Sequence, residues 1–179
     1  MERQQLWDAC VEFHGHACPG LAIGFVAALG LLEAHGMEPG SSPDEELVCV
    51  TENDACGVDA IQYILGTTAG KGNLIVERKG KMAFTLYDRR GERAYRAYLV
   101  ARSDGMDRKR FLQYLLEEPA EKIFDITEAP YVAPAHAYRY PNHDCASCGE
   151  STAEYALRPI DGELLCMDCF ANRERATFS

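Results

Sequence analysis

Residues 14–36 read His14-Gly-His-Ala-Cys-Pro-Gly-Leu-Ala-Ile-Gly-Phe-Val-Ala-Ala-Leu-Gly-Leu-Leu-Glu-Ala-His-Gly36, a loop of reactive side chains followed directly by an apolar run. Pro19 suits the first turn of a helix, and Gly36 suits a helix end. Apolar side chains fill nearly every position between them, so this helix must be buried on most sides. The pattern predicts a central helix with the histidines and the cysteine of the loop at its entrance.

The segments around this helix predict an α+β domain over residues 1–128. A short helix precedes the loop, and a third helix is expected near residues 55–65. Strands are expected near residues 46–51, 74–78, 82–87, 94–101 and 123–127, with a further helix at 106–118. The three middle strands follow one another with short turns, which favours an antiparallel meander. This order indicates an antiparallel sheet flanked by helices rather than a doubly wound parallel sheet.

Composition and charge narrow the class of protein. The chain has 179 residues, of which 47% are hydrophobic and 26% charged, enough to bury a core. The apolar stretch at residues 21–32 is too short to span a bilayer. The N-terminal residues lack the pattern of a secretory signal, so we expect a cytoplasmic location and no membrane partner. The net charge of −10 makes nucleic acid an unlikely partner, since phosphate groups would be repelled.

The eight cysteines are the most informative part of the composition. In a reducing compartment, cysteines grouped with histidines favour metal binding or thiol chemistry over disulfides. The cysteines fall into a tail group and a core group, separated by residues 129–144. That stretch is rich in Pro, Ala, Tyr and His and is predicted to be a linker.

The tail, residues 145–179, carries two cysteine pairs at metal-binding spacing. Cys145-Ala-Ser-Cys148 is followed by 17 residues and then by Cys166-Met-Asp-Cys169, which is typical of a structural Zn²⁺ site. Asp161-Gly162 predicts a hairpin turn between the pairs, and a helix is expected after the second pair. The tail therefore predicts a small domain of treble-clef or zinc-ribbon type. Four free thiols and a redox-active pair are the alternatives, and the tail also resembles the DksA/TraR type of zinc finger.

The core group starts with His14, His16 and Cys18. These residues alternate, so an extended loop points all three side chains to one side, as a metal site requires. A position before Pro19, at a helix N-terminus, favours the thiolate form of a cysteine. The alternative is that these residues only cap helices, face solvent or pack. Cys56, in the first turn of the third helix, could approach the same point, with Asp59 on its face of the helix.

The loop Gly66-Thr-Thr-Ala-Gly-Lys-Gly72 invites comparison with a phosphate-binding loop. The Walker pattern requires four residues between its first glycine and the Gly-Lys pair, a Ser or Thr after the lysine, and a strand before the loop. None of these conditions is met here. A structural turn is the simpler interpretation. Lys71 stays a candidate for contact with an anion in a cleft.

Three motifs together resemble the family named after the E subunit of formylmethanofuran dehydrogenase. They are Phe13-His-Gly-His-Ala-Cys-Pro-Gly20, Asp54-Ala-Cys-Gly-Val-Asp-Ala60 and the loop at residues 66–74. The resemblance covers residues 10–130 and implies an α+β core, a homodimer and a cleft lined by histidine and cysteine. It implies His14, His16, Cys18 and Cys56 as ligands of a second transition metal, with Asp59 and Lys71 beside them or in the cleft. It also implies a molybdenum or tungsten enzyme as partner.

Two classes of function follow from these patterns. The first is a metal-binding accessory protein associated with a molybdenum or tungsten enzyme or with one-carbon metabolism. The second is an enzyme, using a metal or the Cys18 thiol, that acts on a small acyl or one-carbon substrate. A zinc-finger regulator is less favoured, because residues 145–179 carry three arginines against six acidic side chains. Thiolate and imidazole ligands together suit Zn, Ni, Cu or Fe, so the core metal stays open.

Overall fold

A five-stranded sheet and a group of helices make up the larger part of the protein. The computed structural model describes residues 2–40 and 42–177. Contacts divide the chain into two units, Met1–Ala137 and Tyr138–Ser179, here called the core unit and the tail unit. The core unit contains α1 (Arg3–His14), α2 (Pro19–His35), β1 (Leu47–Thr51), α3 (Gly57–Leu65), β2 (Leu74–Val76), β3 (Ala83–Asp88), β4 (Arg93–Leu99), α4 (Arg108–Glu117), α5 (Ala120–Ile123) and β5 (Phe124–Glu128).

The sheet of the core unit is mostly antiparallel, as the sequence predicts. Its strand order is β2-β1-β3-β4-β5. The pairs β1–β3, β3–β4 and β4–β5 are antiparallel, whereas the pair β1–β2 is parallel. The core unit is therefore an α+β fold with one parallel strand at its edge.

The predicted meander is wrong for its first strand, β2. The chain leaves β1 into α3, and a strand that returns after a crossover helix pairs in parallel. The side-chain amide of Asn73 donates to the carbonyl oxygen of Leu47 at 3.0 Å, which holds the start of β2 beside β1. The loop after β2 then crosses the end of β1, where the Lys79 N–H donates to the Glu52 carbonyl at 3.1 Å. This path places β3 on the other side of β1.

Helix α2 is the centre of the core unit. Its buried residues lie on all sides of the helix, as the apolar run predicts. It packs against the sheet through β3, β4 and β5 and against the other helices of the unit. An apolar helix gains most when every face is removed from water, which explains its central position. Because its own unit covers α2, this helix offers no apolar face for dimerisation.

The end of the core unit includes part of the predicted linker. The Nδ1 atom of His136 lies 3.0 Å from Oε2 of Glu45, and the Ala137 N–H donates to the same oxygen at 3.1 Å. The Tyr131 ring meets the Tyr87 ring edge to face, with centroids 6.3 Å apart. Residues 131–137 are therefore held by contacts with β3 and with the segment before β1.

The tail unit consists of two hairpins and a helix. Its elements are β6 (Asn142–Asp144), β7 (Ser151–Ala153), β8 (Leu157–Ile160), β9 (Glu163–Cys166) and α6 (Met167–Thr177). Strand β6 pairs with β7, and β8 pairs with β9. Asp161 and Gly162 have φ angles of 51° and 83°, so the predicted hairpin turn is confirmed. Across the described residues of both units, no helix combines the length and the apolar character needed to cross a membrane.

Candidate metal centres

The ends of two helices bring the first three candidate ligands together. Helix α1 ends at His14, where Gly15 adopts a φ of 93° and its N–H donates to the Val11 carbonyl at 2.8 Å. Helix α2 begins after Cys18, whose sulfur accepts the Leu21 N–H at 3.3 Å. A side chain that accepts this bond is an N-cap, which satisfies one free N–H of the first turn. The short loop between the helix ends is thus fixed at both ends.

The side chains of His14, His16 and Cys18, called the core cluster, point into one space. One ligand atom from each residue lies within 4.8 Å of the others. The Nε2 atom of His14 lies 4.0 Å from the sulfur of Cys18, and the two imidazole ring centroids are 4.6 Å apart. Cys18 is buried, His14 is half-buried and His16 is exposed. The cluster therefore offers two nitrogens and one sulfur, with access from solvent on the side of His16.

Asp59 orients the imidazole of His14. Its Oδ2 atom lies 2.6 Å from Nδ1 of His14, at the opposite side of the ring from Cys18. A carboxylate in this position accepts the Nδ1 proton and leaves the lone pair of Nε2 free. Metal-binding histidines commonly have such a partner on the second nitrogen. Asp59 lies in the first turn of α3, so α3 positions a residue of α1.

Three glycines allow α2 and α3 to approach closely. A Cβ atom added to Gly24 would overlap the carbonyl oxygen of Gly57, and one added to Gly57 would lie 2.9 Å from the Gly20 carbonyl oxygen. The two helix backbones are therefore in direct contact. This contact fixes the distance between the start of α2, which follows Cys18, and the start of α3, which follows Cys56.

Cys56 lies beside Cys18 but outside the core cluster. Both sulfurs lie near Gly20, since a Cβ atom built there would be 3.7 Å from the Cys56 sulfur and 3.8 Å from the Cys18 sulfur. Burial, and after it the neighbouring Cys18 thiol, raise the pKa of the Cys56 thiol. The residue as a whole is exposed. Cys56 is thus an exposed residue beside the buried ligand candidate Cys18.

Lys71 has a different environment. Its Nζ atom donates to the carbonyl oxygen of Ser42 at 3.0 Å, and its backbone N–H donates to the Thr68 hydroxyl at 3.2 Å. These bonds stabilise the loop between α3 and β2. The structure therefore gives Lys71 a role in shaping this loop.

The tail cluster consists of Cys145, Cys148, Cys166 and Cys169. One sulfur from each lies within 4.8 Å of the others, and the Cys148 and Cys166 sulfurs are 3.9 Å apart. A tetrahedral Zn²⁺ site with Zn–S bonds of about 2.3 Å requires sulfurs about 3.8 Å apart. The four sulfurs therefore already stand close to the geometry of a zinc site. Gly149 has a φ of 77°, as the tight turn after the first pair requires.

The tail cluster also shows why a cation would stabilise it. The backbone N–H groups of Cys148 and Cys166 lower the pKa of the Cys145 thiol to about 6. For Cys148, the N–H of Glu150 favours the thiolate, but the adjacent Cys145 thiol and burial outweigh it and raise the pKa to about 12. The surroundings thus favour a thiolate at Cys145 and oppose a second thiolate at Cys148. A bound divalent cation removes this opposition, because it compensates the charge of several thiolates at once.

Both clusters fit a metal ion by their donor sets. Four thiolates in a closed tetrahedron are typical of a structural zinc site, whereas two imidazoles and one thiolate leave a coordination position open. The apolar core of the tail unit is small, being centred on Leu165. A unit of this size needs a disulfide or a metal to be stable. In the tail unit a metal would therefore contribute to folding.

The glycine contact between α2 and α3 was not predicted from the sequence. Gly20 and Gly24 are four residues apart and so share one face of α2. Small residues at this spacing, together with Gly57 next to Cys56, were the sequence features that could have indicated the close approach of α2 and α3. The bond between His14 and Asp59 had no signal beyond the family resemblance, since the two residues are 45 positions apart.

The fold and the clusters define a class: an α+β protein of two units, each with a group of potential metal ligands. The profile of the family described as "FmdE, Molybdenum formylmethanofuran dehydrogenase operon" matches residues 13–133. The chain therefore belongs to the FmdE family, and the match covers the core cluster, Cys56 and Asp59.

The proteins similar to this chain include one of known structure and one curated relative. An FmdE-like protein of the tungsten formylmethanofuran dehydrogenase type, from Syntrophus aciditrophicus, has a solved structure that matches with a TM-score of 0.71 at 21% identity, covering 96% of this chain and 94% of that one. This match shows the fold. A probable S-adenosyl-L-methionine-binding protein of Archaeoglobus fulgidus is 29% identical over 189 aligned positions, which cover 88% of this chain. The chain spans only 50% of that relative's length.

Proposed function

We propose that the protein is a metal-binding accessory protein of a molybdenum or tungsten enzyme of the formylmethanofuran dehydrogenase type, or of related one-carbon metabolism. The observation that carries this proposal is the chain of contacts from Asp59 through His14 to Cys18. The carboxylate holds the imidazole so that Nε2 faces the Cys18 sulfur 4.0 Å away. An imidazole and a thiol prepared in this way, with His16 beside them, suit a transition metal.

The openness of the core cluster favours a role in which a metal enters and leaves. Three protein ligands leave a coordination position free, and His16 is exposed. A small ligand or a residue of a partner protein can approach from that side. A bound metal would supply Lewis acidity at this position, while His14, His16 and Cys18 would hold it. Delivery of a metal to a partner, or electronic support of its active site, is consistent with this arrangement.

The tail unit is proposed to bind Zn²⁺ and to contact a partner protein. Its four cysteines resemble those of DksA/TraR-type fingers, and its fold of hairpins followed by a helix supports this assignment. Nucleic acid stays a disfavoured partner because of the acidic charge. A homodimer is proposed on the family resemblance alone, since α2 is covered by its own unit. Light scattering of the full chain at micromolar concentration tests this, and a monomer would contradict it.

Metal analysis of anaerobically purified full-length protein tests the metal sites. Wild type should contain two metal ions per chain, and Cys18→Ser and Cys166→Ser should each contain one. The control is His136→Gln, which removes an exposed histidine outside both clusters and should leave the metal content unchanged. If Cys18→Ser retains the metal content of wild type, the core cluster is not a metal site. If Cys166→Ser retains the metal content of wild type, the tail cluster is not a metal site.

The same contacts favour a second candidate, a thiol-dependent enzyme. The contacts follow the order found in hydrolases with a cysteine nucleophile: an acidic residue, Asp59, contacts a base, His14, which faces the nucleophile, Cys18. His14 would accept the Cys18 proton at Nε2, and the thiolate would attack the carbonyl carbon of a small acyl group.

Iodoacetamide labelling at pH 6.5 distinguishes the two candidates, because an ordinary thiol with a pKa of about 8.5 is almost fully protonated there. Rapid labelling of Cys18 only after treatment with a chelator supports the metal site. Rapid labelling with and without chelator supports the nucleophile. A Cys18 that stays unlabelled in both conditions is a structural residue, and that result contradicts both candidates.

A further inference from the structure

Cys56 is an accessible thiol that the core cluster does not include. Among the described residues, the group of mutually close ligand atoms contains His14, His16 and Cys18 but not Cys56. A Cβ atom built on Gly20 would nevertheless lie 3.7 Å from the Cys56 sulfur and 3.8 Å from the Cys18 sulfur. Cys56 is exposed, whereas Cys18 is only 2% exposed. The protein therefore places an exposed cysteine beside a buried one.

The backbone keeps these two thiols together. Each cysteine immediately precedes a helix, and the two helices are in contact through Gly24 and Gly57. A Cβ atom on Gly20 would lie 3.2 Å from the Cβ of Cys56 and 3.8 Å from the Cys18 sulfur. Both side chains thus lie against the same glycine. A disulfide requires two cysteines held near each other, and the two helix starts hold Cys18 and Cys56 beside the same glycine.

We propose that Cys18 and Cys56 form a reversible disulfide that closes the core cluster to metal. The oxidant is a peroxide. Cys56 reacts first because it is exposed, and its sulfur takes one oxygen from hydrogen peroxide to become a sulfenic acid while one water leaves. The Cys18 sulfur then attacks the Cys56 sulfur, and the hydroxyl group leaves with the thiol proton as a second water. In sum, two thiols and one hydrogen peroxide give one disulfide and two waters.

The other two cysteines of the core unit are not expected to react. Cys10 and Cys49 are fully buried, and burial raises the pKa of their thiols to about 11 and about 12. Peroxide must reach a sulfur to oxidise it, and Cys10 and Cys49 are buried whereas Cys56 is exposed. Oxidation should therefore be confined, within the core unit, to the pair at the helix starts. It would leave only the two histidines of the core cluster as ligands, and a thiol reductant would restore the third.

Cleavage after glutamate provides a direct test, because it places the four core cysteines in four peptides. Cys10 falls in residues 3–12, Cys18 in 13–33, Cys49 in 47–52 and Cys56 in 53–77. Metal-free full-length protein is treated with one equivalent of hydrogen peroxide, and the remaining thiols are alkylated before digestion and mass spectrometry. We expect a cross-link between 13–33 and 53–77, at least about ten times more abundant than any other cross-link of core cysteines. A thiol reductant should remove it.

Two variants sharpen this test. Cys56→Ser should lose the cross-link, whereas Cys49→Ala should retain it, because Cys49 takes no part. The proposal is overturned if Cys18 and Cys56 are recovered as separate alkylated thiols or sulfinic acids, or if either is linked mainly to another cysteine. Retention of a cross-link to residues 13–33 in Cys56→Ser would also overturn it.

A parallel sample loaded with Zn²⁺ before oxidation separates this inference from the proposed function. If a metal occupies the core cluster, Cys18 is unavailable and the cross-link should fall at least about tenfold. If the cross-link forms equally with and without Zn²⁺, the disulfide stands, but the metal site of the core cluster and its control by oxidation are contradicted.

Discussion

The Nδ1 atom of His14 lies 2.6 Å from the Oδ2 atom of Asp59. This bond joins the last residue of α1 to the first turn of α3 and determines which imidazole nitrogen faces Cys18. It depends on α2 and α3 lying close together, since α2 begins at the core cluster and α3 carries Asp59. The geometry of the core cluster is thus a consequence of helix packing.

Replacing Asp59 by asparagine should weaken metal binding in the core cluster by about 10- to 100-fold. An asparagine amide can donate to Nδ1, which favours the proton on Nε2 and removes the lone pair that faces Cys18. Competition titration of the full chain with a chromophoric chelator measures the affinity.

The matched control for this variant is Asp54→Asn. Asp54 lies just before α3, and its carboxylate pairs with Arg78 at 2.9 Å. An equal loss of affinity in both variants would contradict a specific role of Asp59.

Gly24→Ala should destabilise the core unit, although alanine is the better helix former by about 1 kcal/mol. The added methyl group would overlap the Gly57 carbonyl, which belongs to the backbone and cannot rotate away. Overpacking of this kind costs about 1–3 kcal/mol. The free energy of unfolding in urea is the measurement, and core metal content should fall with it because the helices separate.

Gly30→Ala is the control within the same helix. There the added Cβ would meet the end of the Ile126 side chain at 2.6 Å, which can change its rotamer, and the Ala120 methyl group at 3.2 Å, where a small shift suffices. Gly30→Ala should therefore be clearly less destabilising than Gly24→Ala. Equal effects would argue against a backbone contact between α2 and α3.

Cys166→Ser should loosen the tail unit and leave the core unit folded. Structural zinc contributes on the order of 10 kcal/mol to the folding of small fingers, and the core unit has its own apolar interior. Limited proteolysis should cut within residues 138–177 and leave a fragment of residues 1–137. Met167→Ser, which changes a 49% exposed neighbour that is not a ligand, should be resistant. Loss of the whole cooperative unfolding transition in Cys166→Ser would contradict two separate units.

The core unit should lose stability at alkaline pH through its buried thiols. Burial raises the pKa of the Cys10 thiol to about 11, whereas an ordinary thiol has a pKa of about 8.5. Between these values the folded protein keeps a proton that the unfolded chain releases, so stability falls as the pH rises. The expected loss from Cys10 is about 1–3 kcal/mol between pH 8 and 11. Urea unfolding across this range should show a smaller decrease in Cys10→Ala than in wild type, and equal slopes would contradict it.

Much of the fold and most of both clusters could be predicted from local sequence patterns. The buried helix at residues 19–35 follows from an apolar run between proline and glycine, because such a run is stable only when surrounded by other apolar groups. The tail cluster follows from two cysteine pairs, since a pair separated by two residues directs both sulfurs to one point. His14, His16 and Cys18 were predicted together because they alternate within five residues. In each case the chemistry lies within one short segment.

Tertiary structure alone determined what involves segments far apart in the chain. The position of β2 outside β1 depends on α3 as a crossover and on the bond of Asn73 to Leu47, which no strand pattern encodes. The approach of Cys56 to Cys18 depends on glycines of α2 and α3 that remove side chains from the interface. Sequence periodicity indicates which face of a segment is buried. It does not indicate which other segment packs against that face, and these relationships depend on that pairing.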